Sequence, residues 1–274
     1  MSRMWTAGAL SLVTALLAAC GSPEVETLGL GEEPPPVVVD ESPAPQARGE
    51  RPEVRVNAQG QYSWALRNTR TGEVRGSANM DSFTSTTESM IKSWIAADFL
   101  SGASPSLAQQ KLDVVHRMIH VSDDRAAQQL YLNRGGDAVV RRLISTCGLT
   151  STKVHPNWWS KTRMSANDAT RMGECLFDGR ALNQRWTQLL REEMRSVAPD
   201  NNFGIAEAPG LRGKALAVKN GWTRHSATDN WAVNCLAVWE DQVLAVVTSY
   251  PARLGQKYGA AICRQVAEQL FPAR

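Results

Sequence analysis

The sequence predicts an α/β fold of mixed α+β order, in which an antiparallel β-sheet is flanked by helices and carries an inserted all-helical subdomain. Apolar residues recur first at every second position, which indicates strands, and then about every 3.6 positions, which indicates helices. The two spacings then repeat once, so the elements follow the order strands, helices, strands and a closing helix. Of the 274 residues, 43% are hydrophobic and 21% charged, so the chain buries a sizeable core. This composition excludes a mainly disordered chain, a coiled coil and a collagen-like rod.

Two strands open the predicted fold. Residues 62–66 alternate apolar and polar side chains, which is typical of a half-buried strand. Thr71-Gly72 is a turn, and Val74 begins the partner strand.

A helical region follows these strands. Residues 89–100 place apolar side chains around most of a helix, which predicts a buried helix. Further amphipathic helices are predicted over 107–120, over 124–145 with a break at Gly135-Gly136, over 165–178 and over 182–195.

The end of the chain returns to strand-like alternation. Strands are predicted over 215–218, 231–239 and 242–248, and the last two form a hairpin at Glu240-Asp241. Residues 259–270 are predicted to form the closing helix.

The first 19 residues have the pattern of a secretory signal peptide. Arg3 precedes an apolar run that is too short to span a bilayer comfortably. The run ends in Leu-Ala-Ala-Cys-Gly, which resembles the lipobox of bacterial lipoproteins, a family in which the cysteine, here Cys20, carries the lipid. We therefore expect export to the outer face of the cytoplasmic membrane and anchoring through Cys20. An ordinary cleaved signal peptide is the alternative.

Residues 20–54 are predicted to be a disordered, acidic, proline-rich tether. Residues 20–50 hold seven acids and one base, a net charge of −6, and six of the 13 prolines lie between Gly21 and Arg48. The whole chain has a net charge of +3, which is too small to indicate nucleic-acid binding, so no nucleic-acid partner is expected. The folded domain is predicted over 55–274, and we expect it to be a monomer.

Four cysteines remain besides Cys20, an even number for an oxidising compartment. Four cysteines allow three connectivities. We favour Cys147–Cys175 and Cys235–Cys263, because each pair joins neighbouring elements. Free buried thiols are the alternative, and no CxxC motif accompanies them to indicate a metal site.

Ser89 and Lys92 stand at the start of the predicted buried helix. Positions i and i+3 of a helix share a face, with Cβ atoms about 5–6 Å apart, so Lys92 reaches the Ser89 hydroxyl. A serine needs an adjacent base to act as a nucleophile, and burial favours the neutral lysine that such a base requires. We predict a catalytic pair; each residue taken alone is equally a helix cap or a surface lysine.

Two later motifs complete a possible site. Ser122-Asp123-Asp124 lies at a break between helices, where a second hydroxyl can relay a proton to a leaving group. Lys219-Asn220-Gly221 ends a predicted strand, where Lys219 can hold a substrate carboxylate. The backbone N–H of Trp222 could complete an oxyanion hole with that of Ser89.

These three motifs, in this order and on these elements, resemble the SxxK, SDN and KTG motifs of the serine β-lactamase and penicillin-binding-protein superfamily. The resemblance covers residues 55–274 and is strongest to lipoprotein serine hydrolases related to class A β-lactamases. It implies a β-lactamase/transpeptidase-like fold with the site between sheet and helical domain. It also implies that Ser89 is acylated, with Lys92 as its base, by a β-lactam or a peptidoglycan-like peptide.

The resemblance further implies that Ser122 relays the proton and that no cofactor or metal is needed. The residues predicted to bind substrate are Asp124, Lys219, Asn220, Gly221 and Trp222.

Three departures from the family pattern bear on the reaction. Asp124 replaces the Asn of the second motif, and Asn220 replaces the Thr of the third. Class A β-lactamases also carry a Glu that activates the deacylating water, whereas residues 151–170 contain no Glu. We therefore expect an acyl-enzyme that forms and deacylates slowly.

Two classes of function remain open at this point: a serine hydrolase, and a non-catalytic cell-surface binding lipoprotein on the same fold. His116 and His120 share a helix face, but no third metal ligand is evident, so we expect no metal site. Residues 155–159 and His225 either line the cleft or pack at the surface.

Overall fold

The computed structural model describes residues 53–104 and 106–273, and the main sheet in this part is antiparallel, as predicted. The predicted signal peptide, Cys20 and the tether up to residue 52 lie outside the described residues. Among the helices that are described, none is long and apolar enough to cross a membrane.

The main sheet has six strands in the order β2-β1-β8-β7-β5, with β6 also paired to β7. A small second sheet pairs β3 with β4. The strands are β1 Gln61–Asn68, β2 Val74–Gly76, β3 Thr84–Thr86, β4 Arg163–Ser165, β5 Ala217–Val218, β6 Gly221–His225, β7 Asn230–Trp239 and β8 Gln242–Pro251.

Seven α-helices accompany the sheets in the described part of the chain, and the predicted helix break at Gly135-Gly136 is present. They are α1 Lys92–Ser101, α2 Gln109–His120, α3 Asp124–Asn133, α4 Ala138–Cys147, α5 Ala166–Cys175, α6 Gln184–Arg195 and α7 Gly255–Leu270. Both glycines have positive φ, 87° and 60°, so the chain turns there without a side-chain clash.

Strands β5 and β6 form one continuous edge along β7. The register places Val218 opposite Ala237 and Gly221 opposite Asn234, so the pairing does not slip between the two strands. The sequence does not predict β6, because only one of its five residues is buried and its side chains do not alternate in hydrophobicity.

The two faces of the sheet are covered by different helices. Gly173 of α5 lies against Leu236, Val238 and Val243, where a Cβ would come within 2.6–3.3 Å of these side chains. Cys235 neighbours Leu236 on β7, so its side chain points to the opposite face of the sheet. It is bonded to Cys263 of α7, and α7 therefore covers that face. The sheet core is therefore sandwiched between α5 and α7.

Helix α1 is the centre of the helical subdomain. It contacts α2, α3, α4 and α6, and nine of its ten residues are buried. Its one buried carboxylate, Asp98, is held by Arg134 at 3.0 Å and Arg142 at 2.6 Å. A buried charge is tolerated when it is paired in this way. The packing fixes the helix from which Lys92 projects.

Both favoured disulfides are present. Cys147–Cys175 joins α4 to α5 with a Cα–Cα distance of 5.5 Å, and Cys235–Cys263 joins β7 to α7 at 6.3 Å. The first bridge links the helical subdomain to the helix that covers the sheet. The second fixes the closing helix to the central strand.

The two bridges are expected to contribute similarly to stability. Each closes a loop with a sequence separation of 28 residues, for which loop entropy predicts about 3.5 kcal/mol. The double variants C147A/C175A and C235A/C263A should each lose about this much free energy of unfolding in urea titrations under oxidising conditions. Thr146→Ala, exposed beside Cys147, is the control and should change it by less than about 0.5 kcal/mol. Unchanged stability in either double variant would contradict the expectation.

Candidate functional site

Ser89 lies in a 3₁₀ turn, Glu88–Ile91, that leads directly into α1. The predicted helix over 89–100 therefore starts later than expected. Glu88 has a φ of 50°, a strained value for a residue with a side chain, and such strain clusters at functional sites. Ser89 is partly exposed, and its hydroxyl has no hydrogen-bond partner within the described residues. A free, partly exposed hydroxyl is available to react.

Gly221 allows strand β6 to approach this turn closely. A Cβ at Gly221 would lie 2.5 Å from the carbonyl oxygen of Thr87 and 2.7 Å from the backbone nitrogen of Ser89. Both contacts are to backbone, which cannot move aside as a flexible side chain does. Only glycine therefore fits between the sheet edge and the turn that carries Ser89.

Lys92 is completely buried, and its ammonium makes three hydrogen bonds. Nζ donates to the Ser122 carbonyl oxygen at 2.5 Å, to Asp124 Oδ1 at 2.5 Å and to Ser122 Oγ at 3.2 Å. These contacts use all three N–H donors, so the expected Lys92–Ser89 hydrogen bond is not formed. The Trp159 ring also lies 5.2 Å from Nζ. Three acceptors around Nζ favour the protonated form of Lys92.

The Ser122 hydroxyl lies between two lysines. Its Oγ accepts from Lys92 Nζ at 3.2 Å and from Lys219 Nζ at 3.0 Å. Because a hydroxyl has two lone pairs, its own proton remains free to be donated. Ser122 has a φ of 60°, so the chain adopts a strained conformation to bring this hydroxyl to both amines.

Burial controls the protonation of both lysines. Desolvation lowers the pKa of Lys92, and the hydrogen bond and charge of Asp124 oppose this by raising it. Complete burial lowers the pKa of Lys219 well below its ordinary value, and the charge on Lys92 lowers it further. Lys219 has no carboxylate in hydrogen-bond contact within the described residues.

Asp123 and Asp124 have different tasks. Asp123 is the N-cap of α3, and its carboxylate accepts from Arg125 N at 2.8 Å and Ala126 N at 3.1 Å. These hydrogen bonds from backbone N–H groups lower the pKa of the Asp123 carboxyl, and the bond from Ala126 has the largest effect. The cap places Asp124 on the first helical turn, where its side chain is 79% exposed and still bonds the buried Lys92.

The Asn220 amide is engaged inside the protein, and its contact with a substrate stays a prediction. Its amide donates to the carbonyl oxygens of Asn201 and Phe203, both at 3.0 Å, and its Oδ1 is buried without a partner in the described chain. Successive side chains of a strand point to opposite faces, so Asn220 points away from the side taken by Lys219.

The backbone of Trp222 fits the expected oxyanion position. Lys219 N donates to Leu236 O at 3.0 Å across the sheet. In an antiparallel ladder such bonds recur at every second residue, so the N–H of Trp222 points outward from β7 at the edge that meets the Ser89 turn. The Trp222 ring packs against Phe203, with ring centroids 5.3 Å apart.

A cavity of about 350 Å³ contains Ser89. It brings together three of the predicted site residues, Ser89, Asp124 and Trp222, from three parts of the chain. The lining residues that matter here are Glu88, Ser89, Asp124, Trp158, Trp159 and Trp222. Asp124 bonds Lys92, and Lys92 and Lys219 both bond Ser122, so this cluster adjoins the cavity through Asp124.

The sequence analysis missed the pairing of Glu88 with His225. Glu88 Oε1 lies 2.9 Å from His225 Nε2, and Thr86 Oγ1 lies 3.1 Å from the same nitrogen. The pair joins the turn that carries Ser89 to strand β6. The sequence does show a glutamate directly before Ser89, which is a signal for a functional contact. Its partner His225 lies 137 residues away, so no local pattern predicts the pair.

In the described residues, no group of three or more His, Cys, Asp and Glu side chains could hold a metal ion. His116 and His120 stack with ring centroids 4.9 Å apart, and His116 Nδ1 contacts Glu193 at 2.7 Å. Among the described residues, the His120 Nδ1 is buried without a hydrogen-bond partner.

Curated proteins with similar sequences include two named "Putative lipoprotein LppW", from Mycobacterium bovis and Mycobacterium tuberculosis. Each is 30% identical over 148 residues, 50% of this chain and 46% of its own length. The chain thus spans about half the length of the curated relatives that it matches.

Solved structures with the same fold include a class A β-lactamase from Bacteroides cellulosilyticus, with a TM-score of 0.64 and 11% identity over 78% of this chain and 92% of that one. The TLA-3 extended-spectrum β-lactamase has a TM-score of 0.63 and 14% identity, covering 78% and 94%. The structure of PBP-A has a TM-score of 0.62 and 18% identity, covering 80% and 91%. These likenesses confirm the predicted fold class.

A family model described as "Beta-lactamase enzyme family" matches residues 100–272. The match includes Ser122 and Lys219 and begins after Ser89 and Lys92. It extends over more than half of the chain and agrees with the fold and with the resemblance noted in the sequence. The chain therefore belongs to the Beta-lactamase enzyme family.

Proposed function

We propose that the protein is a lipid-anchored, extracytoplasmic serine hydrolase of the β-lactamase and penicillin-binding-protein type. Its substrates would be β-lactams or peptidoglycan-like peptides that carry a carboxylate, and deacylation would be slow. The observation that carries the proposal is the position of the Ser122 hydroxyl, which lies within hydrogen-bond distance of both Lys92 and Lys219. Lys92 also bonds Asp124, which lines the cavity that contains Ser89.

In the acylation step Ser89 Oγ attacks the carbonyl carbon, and neutral Lys92 takes the hydroxyl proton. The carbon–oxygen bond forms, and the carbon–nitrogen bond of the substrate breaks. Ser122 then passes a proton from Lys92 to the leaving nitrogen. Burial supports the base role of Lys92, because it lowers the pKa of this lysine.

Lys219 would bind the substrate carboxylate. It is fully buried, its pKa is lowered by desolvation, and no described carboxylate bonds to it. An arriving carboxylate would supply the missing opposite charge and favour the protonated amine. The backbone N–H groups of Ser89 and Trp222 would stabilise the oxyanion between the turn and the sheet edge.

Slow deacylation follows from the carboxylates around Ser89. The two that line its cavity are Glu88 and Asp124. Glu88 is bonded to His225 and Asp124 to Lys92, so each already has a basic partner. Neither is free to activate a water against the acyl-enzyme, in keeping with the absence of Glu from residues 151–170.

Anchoring through a lipid on Cys20 is the second part of the proposal. Residues 1–19 have a signal-peptide pattern and end at a lipobox-like sequence. The relatives named LppW are themselves named as lipoproteins. Together these support an exported protein held at the membrane surface.

A non-catalytic binding lipoprotein on the same fold is the alternative. One observation favours it: Asp124 holds Lys92 as an ammonium ion, 2.5 Å from the carboxylate, and a protonated lysine is no base. The first experiment below separates the two functions.

Penicillin is expected to add its mass to the full chain at Ser89, because the hydroxyl is free and partly exposed. Intact-mass spectrometry after incubation should detect a persistent adduct on the wild type and none on Ser89→Ala. Ser160→Ala, which removes another serine from the same cavity, is the matched control and should keep the adduct. Absence of any adduct with penicillin and with a fluorophosphonate probe would contradict the catalytic proposal and favour the binding protein.

Gly221→Ala is expected to slow acylation by about 100-fold, because a displacement near 1 Å at a reacting centre has that effect. The added methyl would meet the backbone of Thr87 and Ser89 and separate the sheet edge from the nucleophile turn. The measurement is the rate of adduct formation, with folding checked by circular dichroism. Arg224→Ala, exposed on the same strand, is the control. A folded Gly221→Ala protein that acylates at the wild-type rate would refute this placement.

Asp124→Asn is expected to extend acylation to lower pH. Neutral Lys92 takes the Ser89 proton, so the rate falls as the pH drops through the pKa of Lys92. Burial lowers this pKa and Asp124 raises it, so removing the carboxylate lowers it further and increases the neutral fraction at a given pH. The measurement is the acylation rate against pH, with Asp113→Asn, an exposed carboxylate of α2, as the control. An acid limb that stays in place would show that Lys92 is not the base.

A further inference from the structure

A second cavity, of about 620 Å³, lies next to the cavity that contains Ser89. Strands β3 and β6 and the segment 153–163 form its walls. Its lining includes Lys153, Lys161 and Arg163 and no aspartate or glutamate. We call it the basic cavity. None of the roles proposed above uses it.

The cations of the basic cavity are not neutralised by neighbouring carboxylates. The Arg163 guanidinium is fixed by the carbonyl oxygen and hydroxyl of Thr84, which are uncharged. Lys161 Nζ lies 4.0 Å from the centre of the Trp158 ring, and Lys153 Nζ has no partner within the described chain. Three unpaired positive charges in one concave site favour an anionic ligand.

Two carboxylates near the basic cavity already have basic partners. Asp229, between the lining residues Thr228 and Asn230, pairs with Arg224 at 3.0 Å. Glu88 lines the Ser89 cavity, and its bond to His225 Nε2 at 2.9 Å forms part of the wall between the two cavities. His225 itself lines the basic cavity. Glu88 therefore faces its own partner and does not neutralise the three cations.

Strand β6 leads from one cavity into the other. Thr223 lines the Ser89 cavity, and His225, two residues further on the same face, lines the basic cavity. Two residues of an extended chain span about 7 Å. The outer edge of β6 is unpaired among the described strands, and the N–H groups of Trp222 and Arg224 point toward it. An extended peptide can add to such an edge.

The order of groups along this edge gives the peptide a direction. Lys219, for the carboxylate of the leaving group, comes first, Trp222 beside Ser89 comes next, and His225 at the basic cavity comes last. The part of the substrate that precedes the reacting carbonyl would therefore run toward His225. Its residue two positions before the acylated one would lie at the basic cavity.

We propose that the protein selects extended peptides that carry a side-chain carboxylate two residues before the acylated residue, and that the basic cavity binds this carboxylate. This inference rests on the proposed acylation of Ser89 and identifies the class of substrate. Lys153 and Lys161 are its specificity-determining residues, and Arg163 completes the charge of the site.

The test uses the full chain and two peptide thioesters of mercaptoacetate, acetyl-Glu-Ala-Ala and acetyl-Gln-Ala-Ala, each made with D- and with L-alanine at the reacting position. The wild type should prefer the Glu peptide about fivefold in kcat/KM, as two partly exposed ion pairs allow. K153Q/K161Q should reduce this ratio to about one by lowering kcat/KM for the Glu peptide. The preference should also shrink as salt is added.

K111Q/K257Q is the matched control, because it removes the same charge from two exposed lysines outside the basic cavity. It should keep the fivefold preference. Equal rates for the two peptides with the wild type, or a preference that persists in K153Q/K161Q, would overturn the inference.

Failure of the proposed function has a different signature. If neither thioester, penicillin nor a fluorophosphonate acylates Ser89, catalysis is refuted, and calorimetry with the two unreactive peptide amides decides the inference separately. Tighter binding of the Glu amide by the wild type than by K153Q/K161Q would support the basic cavity. Equal affinities for the Glu and Gln amides would refute it.

Discussion

Two buried lysines that share one serine hydroxyl are the constraint on which the site depends. An ammonium group taken out of water must regain its hydrogen bonds inside the protein, or it loses its charge. Lys92 regains three, from the Ser122 carbonyl, the Ser122 hydroxyl and Asp124, whereas Lys219 finds the same hydroxyl and the Asn220 carbonyl. These bonds join α1, the turn before α3 and the edge strand of the sheet. The cleft lies where the helical subdomain and the sheet meet at these bonds.

The strain in the site is maintained by the packing around it. Glu88 and Ser122 both have positive φ, a conformation that is unfavourable by about 1–3 kcal/mol for residues with side chains. Each flanks a well-anchored element: α1 is buried on nearly all sides, and α3 is capped by Asp123. The Cys147–Cys175 bridge ties the helical subdomain to the helix behind the sheet. The surrounding core therefore fixes the strained backbone at Glu88 and at Ser122.

Asp124 sets the chemical character that distinguishes this site from the family pattern. An asparagine at this position would offer an amide, whereas the carboxylate binds Lys92 and favours its charged form. Burial and Asp124 thus act on Lys92 in opposite directions, and the balance decides whether a base is available. With Glu88 engaged by His225, the cavity contains two carboxylates that both serve basic side chains. Under the proposed function, a site arranged in this way would retain an acyl group rather than release it quickly.

The sequence by itself determined the fold class, the order of the elements and the three motifs, because hydrophobic period and motif order are local properties of the chain. It also favoured the two disulfides that form. Only the tertiary structure decided which neighbour each side chain contacts. Lys92 bonds Asp124 and Ser122 instead of Ser89, because a long side chain reaches several partners once α3 packs against α1. The Asn220 amide bonds the carbonyl oxygens of Asn201 and Phe203, because the fold brings that segment against the strand. The Glu88–His225 bond and the basic cavity join segments that are far apart in sequence, and no local pattern records such contacts.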